Sequence, residues 1–347
     1  MRPPIVVKLG TTLVVGPGGR VRRSVLRERA REIAELVHGG DPVCVVSSGA
    51  IALGLPRLGL EQRPRSVPRL QAASALGQAR LQDAWDRALG REGIPAAQIL
   101  LTAANVADRA AYVNASNALA TLFALKTVPI VNENDATATD EITFGDNDAL
   151  AAQVAVLVRA RLLVLLTEVE GVLTRTPGTP GAELIPDGSA IDEAMLGGAS
   201  ELGRGGMLSK VVAAQMAGAA GIPTVIAAGT GASVLSPIVA GEPSGTRFVP
   251  SERALTAWKL WIRFGKPTKA RLSVDEGARR AVADDGRSLL AVGVAACEGD
   301  FEAGDAVEVV GPDGSVFAKG IAAAGSAELA RRQRGVEAIH RDRLVVY

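Results

Sequence analysis

An α/β fold, a mainly parallel sheet sandwiched by helices and followed by a small, mostly β barrel-like domain, is predicted by three observations. Short apolar runs alternate with stretches of helical period as far as about residue 250. Most of the apolar runs end in polar, acidic or small residues, as strands do where open α/β sheets bind ligands. Beyond residue 267 the pattern changes to short β-type runs separated by Gly and Asp turns. The expected division is residues 1–252, a linker at 253–266, and a second domain at 267–347.

Taken in order, Ile5 to Leu9 is an apolar strand that carries Lys8 and runs into Gly10, Thr11 and Thr12. A Lys near the end of a buried strand either faces an anion or snorkels out at the sheet edge. Arg22 to Val37 reads as an amphipathic helix, with Val25, Ile33, Leu36 and Val37 on its apolar stripe, and Gly39 and Gly40 end it. Pro42 to Val46 is a second strand leading into Ser47, Ser48, Gly49 and Ala50. Small residues there let a backbone approach a ligand and leave N–H groups free at the next helix start. Leu70 to Leu89 is a helix, Ala97 to Leu101 a strand, Asn114 to Leu125 a helix, and Thr127 to Val131 a buried strand.

Val131 to Asp148, VNENDATATDEITFGDND, concentrates side-chain acceptors between that strand and the helix predicted at Ala149 to Val158. It reads equally as a solvated connection rich in caps or as a ligand loop. Leu162 to Leu166 is a further strand, ending in Thr167 and Glu168. Pro177 to Pro186 reads as a turn and a short extended arm. Gly197, Gly198, Gly203, Arg204, Gly205, Gly206 and Met207 then lead into a helix carrying Lys210. Such a loop is either a flexible connection or an anion site at a helix start. Pro223 to Ala228 closes the α/β region.

The segment from Arg253 to Gly265, with Trp258 and Trp261, bridges to the second domain. There Lys269 to Val274, Ser288 to Ala291, Gly293 to Ala296, Ala306 to Val310, Val316 to Ile321 and Leu344 to Val346 are strand candidates. A helix is expected near Glu328 to Gln333, and Pro312, Asp313 and Gly314 form a hairpin turn.

Composition narrows the chemistry. Thirty-eight basic residues against 37 acidic ones give a formal net charge of +1, so any anion site must be local. Cys44 and Cys297 lie too far apart in the chain to suggest a disulfide framework, and the sequence MRPPIVVKLG lacks the apolar core of a signal peptide. With no run long enough to span a bilayer, a cytoplasmic protein without membrane contact is the expectation. The chain has two histidines, His38 and His340, too few for a His-rich metal site, and their positions at a helix end and in a basic tail offer no Ser-His-Asp triad.

Neither a Walker loop, a Rossmann glycine pattern nor the protein-kinase set of loops occurs. Even so, strand ends supply a Lys, an SSGA turn and an acidic loop, while a glycine loop adds a second Lys. Two lysines converging on one anion suit phosphoryl transfer, which gathers charge on the transferred oxygens.

Lys8-Leu9-Gly10-Thr11, Ser47-Ser48-Gly49-Ala50-Ile51, Asn132-Glu133-Asn134-Asp135, Gly145-Asp146-Asn147-Asp148 and Gly205-Gly206-Met207 with Lys210 together resemble the amino-acid kinase family. The closest likeness is to its glutamate-phosphorylating branch at the head of proline synthesis. The tail resembles the PUA domain that many members append. The match runs over nearly the whole chain, in the family's order.

The resemblance implies transfer of the ATP γ-phosphoryl group, with Mg²⁺, to the side-chain carboxylate of L-glutamate. It implies that Lys8, Lys210 and Asp148 carry the chemistry, the lysines on phosphate and the aspartate holding them. Ser48, Gly49, Ala50, Asn132, Asp135 and Asn147 would bind glutamate. Gly10, Thr167, Glu168, Arg204, Gly205, Gly206 and Met207 would join the lysines around the nucleotide. No dedicated metal ligands are implied. A carboxylate acceptor is already ionised near neutrality, with a reference pKa of about 4.3, so no general base is required.

Glu168, Arg204 and Leu208 depart from the family pattern, which has Asp, Thr, and Ser or Thr at those places; the departures bear on nucleotide binding. Aspartate, acetylglutamate, carbamate and uridylate kinases are the alternatives, and the NEND and GDND pair with the tail favours glutamate. Proline as feedback inhibitor and homo-oligomerisation are implied by resemblance. RNA binding through Arg331, Arg332, Arg334, His340, Arg341 and Arg343 is the reading from a different class, against a solvated basic face.

Overall fold

β1 (Ile5–Leu9) is buried along its whole length, because both its edges are paired and both its faces covered. In this computed structural model it lies between β4 (Val43–Ser47) and β7 (Leu162–Thr167), parallel to both, with Lys8 in register with Val46 and Leu165. β6 (Val128–Glu133) and then β5 (Ala96–Leu101) extend the sheet beyond β4. On the other side come β8 (Thr224–Ala228) and β9 (Thr246–Phe248), giving the order β5-β6-β4-β1-β7-β8-β9. Every pairing is parallel except β8 with β9, and the three-residue β9 was not foreseen. The structure describes all residues except 103–104, 106–107, 138–146, 192–205, 252–253, 267, 332 and 334.

The chain divides into two compact units, Met1–Ala254 and Leu255–Tyr347. In the first, the described helices include α1 (Thr11–Val14), α2 (Arg23–His38), α3 (Ala50–Gly54), α4 (Val67–Gly90), α5 (Arg109–Ala124), α6 (Asn147–Leu157), α7 (Met207–Ala219) and α8 (Leu235–Ala240). Pro68 sits in the first turn of α4, where its missing N–H costs nothing. The side chain of Asp108 caps α5 by accepting from the Ala111 N–H at 2.8 Å. A two-strand ribbon of β2 (Val15–Gly16) and β3 (Arg20–Val21), also unforeseen, connects α1 to α2.

The core joins inward residues of the sheet, among them Ile5, Val7, Val45, Ile130 and Val164, to Leu26 and Ile33 of α2 and Leu81, Trp85 and Leu89 of α4. Helices α3 and α4 cross with backbones almost touching. A Cβ on Gly77 would lie 1.8 Å from the Ala50 carbonyl oxygen, and one on Gly54 the same distance from that of Ala73. Only glycine permits that approach, and the approach fixes where the Ser48–Ala50 turn stands.

The second unit holds a five-stranded sheet in the order β12-β10-β13-β14-β16, made of β10 (Thr268–Val274), β12 (Val294–Glu298), β13 (Ala306–Val310), β14 (Val316–Ile321) and β16 (Leu344–Val346). A separate pair joins β11 (Leu289–Leu290) to β15 (Glu337–Ile339), the latter not anticipated. Nor was the helix Glu276–Ala283, capped by Asp275. The helix expected near Glu328 is a single turn, Ser326–Leu329. This unit has its own core, including Leu272, Val307, Val309, Ala318 and Leu344.

Residues 257–265 form a helix and a π-helical turn, and Ile262 is fully buried with Ala306, Ile321 and Val345. The ammonium of Lys319 donates to the carbonyls of Arg263 at 3.2 Å and Lys266 at 2.6 Å, tying the turn to β14. Of the basic run, Arg331, Arg341 and Arg343 are exposed, Arg341 beside Asp342, while Arg332 and Arg334 lie outside the described residues. Among the described residues no helix is long and apolar enough to cross a membrane.

Candidate active site

All the described site residues expected from the sequence except Gly206, Met207 and Lys210 belong to the carboxyl ends of β1, β4, β6 and β7 or to the turns and the helices, α3 and α6, beyond them. In a parallel sheet those ends open at the same edge, so residues distant in the chain meet there. Two adjoining constellations result.

The first is ionic. Lys8 Nζ lies 2.5 Å from Asp148 Oδ1, and Lys210 Nζ lies 3.1 Å from Asp148 Oδ2. All three are buried, with 4%, 6% and 1% exposure for Lys8, Lys210 and Asp148. Asp148 sits in the first turn of α6, where the helix dipole favours an anion. Ser209 Oγ donates to its Oδ2 at 2.8 Å. Burial pushes the Asp148 carboxyl up, but Lys8, Lys210 and the hydrogen bonds from Lys8 and Ser209 outweigh it and hold the group below the usual carboxylate range. With two ammonium groups on one carboxylate, the trio carries a surplus positive charge, an arrangement that receives an anion.

Around it, Gly10 precedes α1 and Gly206 precedes α7. A Cβ on Gly206 would meet nothing within 4 Å, and one on Gly10 would stand 4.0 Å from Lys8 Nζ. Both glycines leave their backbones approachable beside the lysines. Met207 opens α7 and is half-buried. Leu208 is exposed, and the hydroxyl of Ser209 beside it lies 2.9 Å from the Gly206 carbonyl oxygen.

The second constellation is a small polar cavity lined by Thr11, Ser48, Gly49, Ala50 and Ile51, with Asn132, Asp135, Asn147 and Arg63 across from them. Asn147 Nδ2 donates to Ser48 Oγ and to Asn132 Oδ1, each at 2.8 Å. Asn132 Nδ2 in turn donates to Gln78 Oε1 at 2.7 Å. Ser74 Oγ donates to Asp135 Oδ2 at 2.7 Å. The other oxygen, Asp135 Oδ1, is buried without a hydrogen-bond partner among the described residues, as is Asn147 Oδ1. Two buried acceptors left open in one cavity mark a place for a donor-rich ligand group. Burial raises the Asp135 pKa, against the Ser74 bond and the Arg63 charge.

Gly49, at φ 119°, starts α3 in a left-handed conformation, and a Cβ there would press on Val15 at 2.9 Å. Trp85 Nε1 donates to Ser47 Oγ at 2.9 Å and steadies the same turn from below. Asn147 and Asp148 are neighbours in sequence, so the first turn of α6 joins the cavity to the ionic cluster.

Thr167 ends β7, its carbonyl accepting from the Gly229 N–H at 2.7 Å. Glu168 is half-exposed and pairs with Arg22 at 3.7 Å. Arg204 and Gly205 lie outside the described residues, as do Asp140, Glu141, Gly145 and Asp146 of the acidic loop. Sequence reasoning missed Ser74, Gln78 and Trp85 on α4, Ser209, Arg22 and Arg63. Ser74 and Gln78, four apart on the face that also carries Leu70, Ala73, Gly77 and Leu81, were detectable as polar residues on an apolar stripe. Among the described residues no three His, Cys, Asp or Glu side chains gather as a metal site.

The model of the amino acid kinase family matches residues 3–228, and that of the PUA domain residues 270–343. A protein of Syntrophotalea carbinolica named glutamate 5-kinase is 43% identical, over 99% of this chain and 96% of that one. One from Sphingopyxis alaskensis with the same name is 46% identical, over 92% and 87%. A third, from Acinetobacter baumannii and again named glutamate 5-kinase, is 40% identical, over 99% and 96%.

Proposed function

Because this chain belongs to the amino acid kinase family, we propose that the two constellations divide one reaction between them, the cavity holding an amino acid and the ionic cluster the phosphate that it receives. The reaction is phosphorylation of L-glutamate on its side-chain carboxylate, the first step of proline biosynthesis, and the name that the relatives share, glutamate 5-kinase, supports it. The observation that carries the reading is the junction at Asn147 and Asp148, one residue facing the amino acid and the next holding both lysines.

Glutamate enters with its ammonium group toward Asp135 Oδ1 and Asn147 Oδ1, the two acceptors without partners. Its side-chain carboxylate then reaches toward Lys8. ATP is the donor, and one carboxylate oxygen attacks the γ-phosphorus while the bond to the β-γ bridging oxygen breaks, yielding the acyl phosphate and ADP. Charge spreads over the equatorial oxygens in transfer, and Lys8 and Lys210 stabilise it from positions set in advance by Asp148. No proton has to be removed from the acceptor.

Both oxygens of Asp148 are taken by ammonium groups and Ser209, so among the described residues the cluster offers the nucleotide cations. Mg²⁺ bound together with the nucleotide would supply further neutralisation of phosphate charge there. Thr167, Glu168 and the glycine loop from Arg204 to Met207 flank the nucleotide in this reading, and Arg22 must share Glu168 with it. Proline competes for the amino-acid cavity. The chain acts in the cytoplasm as a homo-oligomer, which light scattering on a sizing column checks.

Hydroxylamine trapping of acyl phosphate, with ATP, Mg²⁺ and a panel of acids, tests the assignment. Hydroxamate should form with L-glutamate. Turnover with aspartate or acetylglutamate in its place would sink the reading.

A further inference from the structure

The cavity that contains Asp135 also contains a cation that no sequence motif announced. Arg63 stands on the loop between α3 and α4, exposed to solvent yet lining the same cavity as Ser48, Asp135 and Asn147. It is the one basic side chain among the described residues that line it. Its charge acts on the Asp135 carboxylate, although the hydrogen bond to that carboxylate comes from Ser74. Among the described residues Arg63 has no ion-pair partner within salt-bridge distance, so its guanidinium retains donors for a ligand.

An α-amino acid places an ammonium and a carboxylate on the same carbon. If the ammonium meets the open oxygen of Asp135, the α-carboxylate is held a single carbon away and needs a cation on the same side of the cavity. Lys8 and Lys210 do not qualify, since both are committed to Asp148 at the other constellation. A guanidinium presents paired N–H donors that match a carboxylate edge. We infer that Arg63 binds the α-carboxylate of the amino-acid substrate, so that Asp135 and Arg63 read the zwitterion as a pair and leave the side-chain carboxylate to the phosphate end. The inference rests on the proposed reaction and names the contact that discriminates glutamate from acids without an α-carboxylate.

The test uses the full chain and 4-aminobutyrate, which is glutamate without its α-carboxylate. Arg63→Gln should raise KM for L-glutamate by roughly threefold to tenfold, the scale of a hydrogen bond to a charged group discounted for the exposure of Arg63. KM for ATP should stay the same, and the inhibition constant of 4-aminobutyrate competing with glutamate should not move. Arg63→Lys should recover part of the loss. An unchanged glutamate KM would overturn the inference, as would an equal weakening of glutamate and 4-aminobutyrate, which is what a merely structural role predicts. Wild-type protein that forms no acyl phosphate with glutamate would overturn the proposed reaction itself, a result separable from either of these.

Discussion

Lys8 Nζ and Asp148 Oδ1 stand 2.5 Å apart, one at the end of the central strand and the other at the head of α6, and the pair is buried from solvent. Two buried charges in contact are stabilising only while each keeps its partner. Lys210 doubles the positive side, so the cluster is balanced when an anion joins it.

Lys8→Ala and Lys210→Ala should each leave the fold in place, since Asp148 keeps one ammonium partner in either variant. Each should lower kcat for acyl phosphate formation by roughly a hundredfold to a thousandfold, the scale for removing a preset charge-stabilising donor. Circular dichroism and hydroxamate assays measure the two effects together. Near-normal turnover in either variant would remove that lysine from the phosphate.

Asp148→Asn should cost more stability than either lysine change, about 3 kcal/mol or more in urea unfolding, because it takes the carboxylate from two buried ammonium groups at once. The sign with pH follows from the lowered carboxyl. The ionised Asp148 contributes fully above the unfolded-state value of about 3.9. That contribution is lost as pH falls through the lower folded value. The stability gap between wild type and variant should therefore narrow in strong acid; a gap constant down to that range would contradict the lowered pKa.

Asp135 behaves in the opposite sense. Its pKa is raised by burial, so acidification protonates it before ordinary carboxylates, and the ammonium of glutamate then loses its partner. KM for glutamate should climb as pH falls through that raised value, while protonation itself favours the fold. Asp135→Asn should weaken glutamate by about a hundredfold and flatten the acid limb of the profile. A profile identical to that of wild type would show that another group titrates.

Gly77→Ala tests the helix crossing. The added methyl would lie 1.8 Å from the Ala50 carbonyl oxygen, so α3 and α4 must separate. Overpacking of this kind costs on the order of 1–3 kcal/mol or more. As Ala50 belongs to the cavity wall, KM for glutamate should rise along with the loss of stability, and KM for ATP should change less.

The sequence made the strand ends legible because a parallel sheet delivers them to one edge in a predictable way. Lys8, Ser48, Asn132 and Asp148 could be named from their places after apolar runs. What it concealed were the residues that hold those in position. Ser74 and Gln78 look like ordinary helix residues until α4 is packed under the cavity, and Ser209 is meaningful only beside Asp148. Arg63 lies in a loop with no pattern around it. The three-residue β9 and the two-residue strands at Val15 and Arg20 were too short for any periodicity to register.

Trp85 extends the consequences into spectroscopy. Its indole is fully enclosed and donates to Ser47, immediately before the serine of the amino-acid cavity. Trp258, by contrast, is 45% exposed and belongs to the other unit. The chain thus carries a built-in chromophore beneath the turn that leads into the cavity, and a change in its blue-edge emission on adding L-glutamate should report movement of that turn without a label.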